Sequence, residues 1–332
     1  MKKIRRKIVL ACSAVLTLLI TTVTTTFAWF SLNESAWLEK MELEVNNMNN
    51  LLITADYDVD ASNMMFKQYL TAEDIVAAIN KKRELNGEVA INSLDDIKLS
   101  PVTSLDGVSF TETKVTYDES NKQELSWVTA NPNNYVSMRI SFVVENNGAD
   151  KSDFDLVFVT EDKDGLKGTS FGADNQVITL VNKLVNGAEE KKTLDTLTVN
   201  PVNALKMAVT NVTLNDGSVH IYDLGKSDVN EHSDVNLGGL ADAANASTNP
   251  MFTYYNNVNN FDLPVMGDLA GNVVLHDELD QVLGTFTPVS DSEYSIITLD
   301  ITIWIEGYDA DNIIGLDTSV ISMLLTFGAN KK

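Results

Sequence analysis

Cysteine is almost absent from this chain of 332 residues, whose single cysteine is Cys12. A disulfide needs two cysteines, so no internal disulfide forms and stability must come from an ordinary hydrophobic core. A cysteine nucleophile is excluded for everything beyond the N-terminal segment. The hydrophobic content of 44% is enough for one large domain or two small ones.

Histidine is also scarce, with three residues in the chain, and the motifs of several enzyme classes are missing. His276-Asp277-Glu278 lacks the second histidine that a helical zinc site of the HExxH type requires. We expect His276, like His220 and His232, to be an isolated loop residue. The sequence contains no Gly-x-Ser-x-Gly nucleophile elbow and no glycine-rich phosphate loop. It therefore predicts that the protein is not an enzyme.

Positive charge is scarce as well, since 24 Lys and Arg stand against 47 Asp and Glu, giving a formal net charge of −23. Five positive residues are concentrated at the start of the chain: Lys2, Lys3, Arg5, Arg6 and Lys7. The body that follows is therefore more acidic than the whole chain. Because an acidic surface repels phosphate backbones, nucleic acid is not an expected partner.

The basic start is followed by an apolar run over residues 8–20, and no charged residue occurs before Glu34. This layout is typical of a secretory signal. The basic end is expected to stay in the cytoplasm. Residues 29–332 are then predicted to lie outside the membrane, at the cell surface or in the extracellular space.

Two fates of the N-terminal segment stay open. Thr26 and Ala28 place small side chains three residues and one residue before the Ala28–Trp29 bond, as a signal peptidase requires. Residues 1–28 are then a cleaved signal peptide. Alternatively, residues 8–30 stay in the membrane as an anchor, because about 20 apolar residues suffice to span a bilayer.

Alternation of apolar and polar residues, the period-2 pattern of half-buried strands, dominates the body. The clearest case runs from Ile297 to Ile305, with apolar side chains at every second position. Further strands are predicted over residues 41–45, 51–55, 136–144, 154–160, 205–209 and 321–327. Many strands separated by turn signals predict a mainly β fold, an antiparallel β-sandwich or jelly roll.

One or two helices are predicted to be inserted between the strands. Thr71 is a good N-cap, apolar residues follow at helical spacing and Gly87 is a stop signal, so we expect a helix over residues 71–86. A weaker helical pattern covers residues 175–186. Residues 223–293 are rich in Asn and poor in periodic patterns, which indicates a loop-rich excursion from a single domain of residues 29–332.

Two short segments resemble a known family. Residues 24–30 (TTTFAWF) are similar to the cleavage region of proteins with SipW-type signal peptides, a group that includes the TasA and camelysin family of secreted Gram-positive surface and matrix proteins. Residues 303–312 (IWIEGYDADN) resemble a strand and loop near the C-terminus of many secreted proteins with this signal. The resemblance implies a jelly-roll-like β domain, a surface or matrix location and, in some members, assembly into fibres.

In such fibres the segment just after the cleavage site completes the sheet of a neighbouring copy. The corresponding segment here would be residues 29–45, in which Met41, Leu43 and Val45 form an alternating apolar face. Strand addition needs free main-chain groups and side chains that fill pockets at alternate positions. The alternative is an ordinary first strand paired within its own domain.

Calcium is the one cofactor for which the sequence offers candidate ligands. Aspartates alternate within residues 56–60 and 162–164 and at Asp309 and Asp311, and calcium prefers several oxygens from one loop. None of these loops has the spacing of an EF-hand. The alternative is that the acidic loops are only solvated.

Trp304 and Tyr308 flank Glu306-Gly307 near the end of the clearest strand. One interpretation is an aromatic platform for a sugar or a partner protein. The other is a structural strand end in which Trp304 packs against the sheet.

Three functions stay open at this stage. The first is a secreted or cell-surface structural protein, as a subunit of an extracellular matrix or fibre, with a signal peptidase and other copies of itself as partners. The second is a surface binding module or adhesin that recognises a glycan or a host protein. The third is an exported hydrolase with a pair of carboxylates, which only their separation in space would identify.

Overall fold

The computed structural model describes residues 36–45, 50–56, 64–117, 123–145, 152–162, 167–174, 176–180, 183–185, 188–190, 195–224, 269–276, 278–288, 294–307 and 319–332. The predicted signal or anchor segment at the N-terminus, the predicted cleavage site between Ala28 and Trp29, and the calcium candidates Asp309 and Asp311 lie outside these residues. Within the described ranges, no helix is long and apolar enough to cross a membrane.

The described residues form one α-helix and twenty strands. The helix α1 is Ala72–Asn86. The strands are β1 (Ala36–Val45), β2 (Leu51–Thr54), β3 (Tyr69–Leu70), β4 (Lys98–Leu99), β5 (Pro101–Val102), β6 (Thr111–Tyr117), β7 (Gln123–Thr129), β8 (Val136–Glu145), β9 (Phe154–Phe158), β10 (Ser170–Ala173), β11 (Gln176–Leu180), β12 (Lys183–Val185), β13 (Ala188–Glu190), β14 (Asp195–Val199), β15 (Leu205–Asn211), β16 (Val219–Asp223), β17 (Val273–His276), β18 (Val282–Phe286), β19 (Tyr294–Glu306) and β20 (Val320–Lys331).

Two seven-stranded sheets hold most of these strands. The first sheet has the order β18-β9-β20-β1-β3, with β10 added beside β20 and β4 beside β1. The second sheet has the order β17-β16-β15-β19-β8-β2, with β5 added beside β19. Three further strand pairs are β6–β7, β11–β14 and β12–β13. The prediction of a mainly β fold is confirmed.

Both large sheets are mixed rather than antiparallel, so this part of the prediction is wrong. β1 runs parallel to β20, β16 parallel to β17, and β5 parallel to β19. Alternation along one strand shows which side chains share a face. It carries no information on the direction of the neighbouring strand, which depends on how the rest of the chain returns to the sheet.

The alternating faces of the two sheets contribute to one hydrophobic core. Ile297, Leu299, Ile301, Ile303 and Ile305 of β19 and the buried apolar residues of β1 and β20 belong to the same cluster. Phe142 of the second sheet and Phe327 of the first meet there, with ring centroids 4.6 Å apart. The predicted core faces of these strands are therefore confirmed.

The alternation of buried and exposed side chains in β1 shifts by one residue near the start of the strand. The register with β20 is interrupted between Leu38 and Lys40, which is the signature of a β-bulge. Because one extra residue resets the alternation, Leu38 and Met41 both face the core although three positions separate them.

The opposite face of β19 is polar and pairs with β8 residue by residue. Ser141 and Thr298 join their hydroxyl oxygens at 2.8 Å, and Ser137 and Thr302 do so at 2.9 Å. Between these two pairs, Arg139 and Asp300 are directly opposite each other and form an ion pair. Such cross-strand pairs are a main source of stability within a sheet.

The helix α1 has the predicted position and both predicted end signals. Thr71 accepts a hydrogen bond from the Asp74 amide while the Asp74 carboxylate accepts one from the Thr71 amide, a reciprocal capping box. Gly87 ends the helix in the left-handed region at φ 72°, where a residue without Cβ avoids strain. Lys82 of α1 reaches Asp300 of β19 at 2.7 Å.

The second predicted helix, over residues 175–186, is wrong, because β11 and β12 lie there. Residues 176–180 have the sequence QVITL, in which β-branched residues favour a strand, and β11 pairs with β14. The loop-rich excursion over residues 223–293 also includes strands where the structure describes it. β17 joins the second sheet there and β18 joins the first.

Candidate functional site

The first strand lies inside the first sheet and is hydrogen-bonded along both of its edges. On one edge it pairs in parallel with β20, from Trp37 beside Val320 to Val45 beside Phe327. On the other edge β4 pairs with the beginning of β1 and β3 with its end. We call the space that β1 fills between β20 on one side and β3 and β4 on the other the β1 slot.

The inward side chains of β1 fill part of the common core. Five of them are buried: Ala36, Leu38, Met41, Leu43 and Val45. Burial of one large apolar side chain stabilises a fold by about 1.5–3 kcal/mol. The polar side chains Glu39, Lys40 and Glu42 of the same strand are exposed. The alternating apolar face predicted for this segment is thus confirmed.

Only a short connection joins β1 to the rest of the domain. Residues 46–49, between β1 and Asn50, lie outside the described residues. Asn50 has a positive φ of 55° and leads directly into β2, which belongs to the second sheet. The chain therefore passes from one sheet to the other immediately after β1.

The structure supports the packing interpretation of Trp304. Its side chain is completely buried, with an exposed fraction of 0%, so it offers no platform to a sugar or a partner. The indole Nε1 donates a hydrogen bond to Glu306 Oε2 at 2.9 Å. The indole ring packs edge-on against Phe110, which itself stacks on Tyr135. Tyr308, the other half of the proposed platform, lies outside the described residues.

Two of the candidate calcium loops are partly described, and their carboxylates bind backbone amides. Asp162 Oδ1 accepts a hydrogen bond from the Gly168 amide at 2.9 Å. Asp56 Oδ2 accepts one from the Met65 amide at 3.4 Å. In the part of the chain that the structure describes, no three metal-binding side chains come together. Calcium binding at Asp309 and Asp311 stays a prediction.

An acidic cleft of about 620 Å³ is lined by four carboxylates. They belong to Glu161, Asp223, Glu278 and Asp280. The Asp223 carboxylate accepts a hydrogen bond from Lys206 Nζ at 2.8 Å. Lys206 is fully buried, so this ion pair neutralises a cation inside the protein. The hydrolase hypothesis would place its carboxylate pair in this cleft.

Two of the three histidines meet, contrary to the expectation of isolated loop residues. His220 lies in β16 and His276 in β17, which are parallel neighbours at one end of the second sheet. His220 Nδ1 and His276 Nε2 are 2.8 Å apart, within hydrogen-bond distance. The two residues are 56 positions apart in the sequence, so no local spacing could have revealed their contact.

Tyr222 packs against the second member of this histidine pair. Its ring and that of His276 have centroids 4.9 Å apart and planes inclined by 25°. Tyr222 is buried, and its hydroxyl has no hydrogen-bond partner among the described residues. Burial raises the pKa of the Tyr222 hydroxyl well above its ordinary value, so it stays protonated.

Comparison with family models, with curated proteins and with solved structures gives no match for this chain.

Proposed function

We propose that this protein is an exported structural component of the cell surface or extracellular matrix whose copies assemble by exchanging β1. The body is proposed to be a jelly-roll-like β-sandwich, which the common core of the two sheets supports. The observation that carries the proposal is the place of β1 in the β1 slot, hydrogen-bonded on both edges.

A strand in this place is suited to exchange between identical copies. The groups of β20 that pair with β1 of the same chain can pair with β1 of a second copy in the same register, because the two chains are identical. The β1 strand is the first element of the described chain, and it is held by its pairings with β20, β3 and β4. In an exchange these pairings break within one copy and form again with β1 of a second copy, as in domain swapping.

The buried face of β1 makes an empty β1 slot unfavourable. The four large side chains on this face, Leu38, Met41, Leu43 and Val45, at about 1.5–3 kcal/mol each give an upper estimate on the order of 10 kcal/mol. A typical domain has a total stability of about 5–15 kcal/mol. A copy whose slot is empty is therefore expected to be unstable, and each copy needs either its own strand or that of a neighbour.

The N-terminal segment supplies the export that this function needs. In the proposal, a signal peptidase cuts between Ala28 and Trp29, which leaves residues 29–35 ahead of β1. The released strand is then no longer tethered to the membrane. If the segment stays uncut, it anchors β1 and hinders the exchange.

Deletion and addition of the strand test this proposal. We would compare a chain of residues 29–332 with a chain that begins at residue 46, with and without a synthetic peptide of residues 29–45. The longer chain should form oligomers at high concentration, seen by analytical ultracentrifugation and electron microscopy. The shorter chain should lose cooperative unfolding and recover it as a monomer when the peptide is added.

A peptide with Leu43→Asp is the matched control, because it keeps the main chain but brings a charge to the core, and it should not restore folding. The proposal fails if the shorter chain folds as well as the longer one. It also fails if the longer chain stays monomeric at high concentration, an outcome that would favour a surface module binding a glycan or a host protein.

A further inference from the structure

The His220–His276 pair has a defined geometry at an edge of the second sheet. The nitrogens that face each other are 2.8 Å apart, while the ring centroids are 5.0 Å apart and the planes are inclined by only 16°. The rings therefore meet edge to edge through these nitrogens. One nitrogen donates a proton and the other offers its lone pair, so at least one imidazole of the pair is neutral.

We infer that His220 Nδ1 and His276 Nε2 together bind a late first-row divalent transition-metal ion, of the class of Cu²⁺, Ni²⁺ and Zn²⁺. Imidazole nitrogen is a common ligand of these ions. The ion replaces the proton that the two rings share, and each ring turns so that its lone pair points at the ion instead of at the other ring. This inference does not depend on the proposed assembly through β1.

The separation of the two nitrogens indicates which ions fit best. Imidazole nitrogens bind such ions at about 2.0–2.1 Å. Two ligands at that distance and 2.8 Å apart subtend an angle of about 85° at the ion. This is the angle between adjacent ligands in the square-planar or tetragonal geometry of Cu²⁺ and Ni²⁺. Tetrahedral Zn²⁺ requires a wider angle and hence a larger separation of the two nitrogens.

The nearby carboxylates also favour a cation. The carboxylate of Asp216 is close enough to His220 for an electrostatic interaction. Two residues beyond His276, Glu278 lines the acidic cleft. Because the described chain supplies two ligands, water must fill the remaining coordination positions of the ion. The bound ion should therefore exchange readily with ions in solution.

A bound ion would link β16 to β17, the strand at the end of the second sheet. Since β17 follows residues 225–268 in the chain, the ion would hold the strand after that segment against β16. Binding to the folded state alone stabilises it in proportion to the logarithm of the ion concentration above the Kd. The expected consequence is a metal-dependent rise in the unfolding temperature.

The test uses the chain of residues 29–332 after treatment with a chelator. Isothermal titration calorimetry should show one Cu²⁺ or Ni²⁺ ion per chain, and each ion should raise the Tm. Ca²⁺ and Mg²⁺ at the same concentrations should not, because these ions prefer oxygen ligands. The variants H220Q and H276Q should each weaken binding about tenfold or more. The control H232Q, which removes the third histidine, should bind like the parent.

Electron paramagnetic resonance of Cu²⁺ bound to H232Q supplies a readout that does not require H220Q or H276Q to fold. Coupling to two imidazole nitrogens is the expected spectrum. The inference is overturned if the parent shows no binding below millimolar concentrations. It is also overturned if binding persists in both pair variants or if H232Q shows no imidazole coupling.

Discussion

Leu43 in the first strand of the described chain lies directly beside Leu325 in the last strand. Both side chains are buried, with exposed fractions of 1% and 0%. Parallel neighbours cannot be joined by a tight turn, and here nearly the whole domain lies between them. The pairing of β1 with β20 therefore brings the first and the last strand of the described chain together. The stability of the domain depends on contacts between these two strands.

Truncation of this contact should destabilise the whole domain. Leu43→Ala removes a buried side chain and leaves a cavity, for which a loss of about 2–5 kcal/mol in the free energy of unfolding is typical. Glu42→Ala is the matched control on the exposed face of the same strand and should change the free energy by less than about 0.5 kcal/mol. Urea unfolding of the monomer measures both. Equal effects of the two substitutions would show that β1 is not part of the core.

The ion-paired cluster on the polar face of β19 provides a second test. Asp300 binds Arg139 Nε at 2.6 Å and Lys82 Nζ at 2.7 Å, and its side chain is only 13% exposed. Asp300→Asn leaves two cations without their counterion and should cost about 2–4 kcal/mol of unfolding free energy.

The exposed pair of Lys40 and Glu42 serves as the comparison, because its atoms are 2.7 Å apart but both side chains are more than half exposed. Lys40→Met should cost no more than about 1 kcal/mol. Thermal or urea unfolding distinguishes the two cases. A loss at Asp300 as small as that at Lys40 would contradict a stabilising role of the cluster.

A third prediction concerns acid stability and Asp106. Burial acts to raise the pKa of Asp106, but hydrogen bonds from the Ser109 and Val108 amides at 2.6 and 2.8 Å and from Ser104 outweigh it. The pKa of Asp106 is therefore lower in the folded state than the ordinary value of 3.8. Its contribution to stability is complete above about pH 4 and is lost as the pH falls through the folded pKa.

Asp106→Asn removes this titration, so its unfolding free energy should decrease less steeply between pH 5 and pH 3 than that of the parent. Urea unfolding at a series of pH values measures the slopes. Val108→Ala is the control, because Val108 is 59% exposed and its amide remains available to Asp106. Identical slopes for Asp106→Asn and the parent would refute the prediction.

The sequence allowed the strands and their buried faces to be predicted where alternation was regular. β19 is the clearest example, since its five apolar positions all face the core. The helix α1 was also predictable, because Thr71 and Gly87 are local signals that act within a few residues. Both successes depend on interactions between residues that are close in the sequence.

Pairings between distant residues were not predictable in this way. Nothing local in residues 41–45 indicates that their neighbour is the last strand or that it runs in parallel. The contact of His220 with His276 depends on the same kind of long-range pairing, between β16 and β17. The helix predicted over residues 175–186 was wrong for the same reason. Long-range pairing of β11 with β14 prevails there over a weak local helical pattern.

Exchange of β1 between copies is tested most directly by disulfide trapping. Glu42 and Leu324 are neighbours across the β1–β20 pairing, and neighbouring strands lie within the distance that a disulfide bridges. A chain that begins at Trp29 contains no cysteine, so Glu42→Cys in one copy and Leu324→Cys in another introduce the only two thiols of the mixture. Glu42→Cys mixed with Val274→Cys, an exposed residue of the other sheet, is the control.

If copies exchange β1, oxidation of the assembled mixture of Glu42→Cys and Leu324→Cys gives a disulfide-linked dimer on a non-reducing gel. The control mixture should give none. A single chain that carries both substitutions and is oxidised as a monomer should be locked and unable to assemble until it is reduced. If the mixture assembles without the intermolecular disulfide, or if the locked chain assembles as well as the reduced one, β1 is not exchanged and the proposed mode of assembly is wrong.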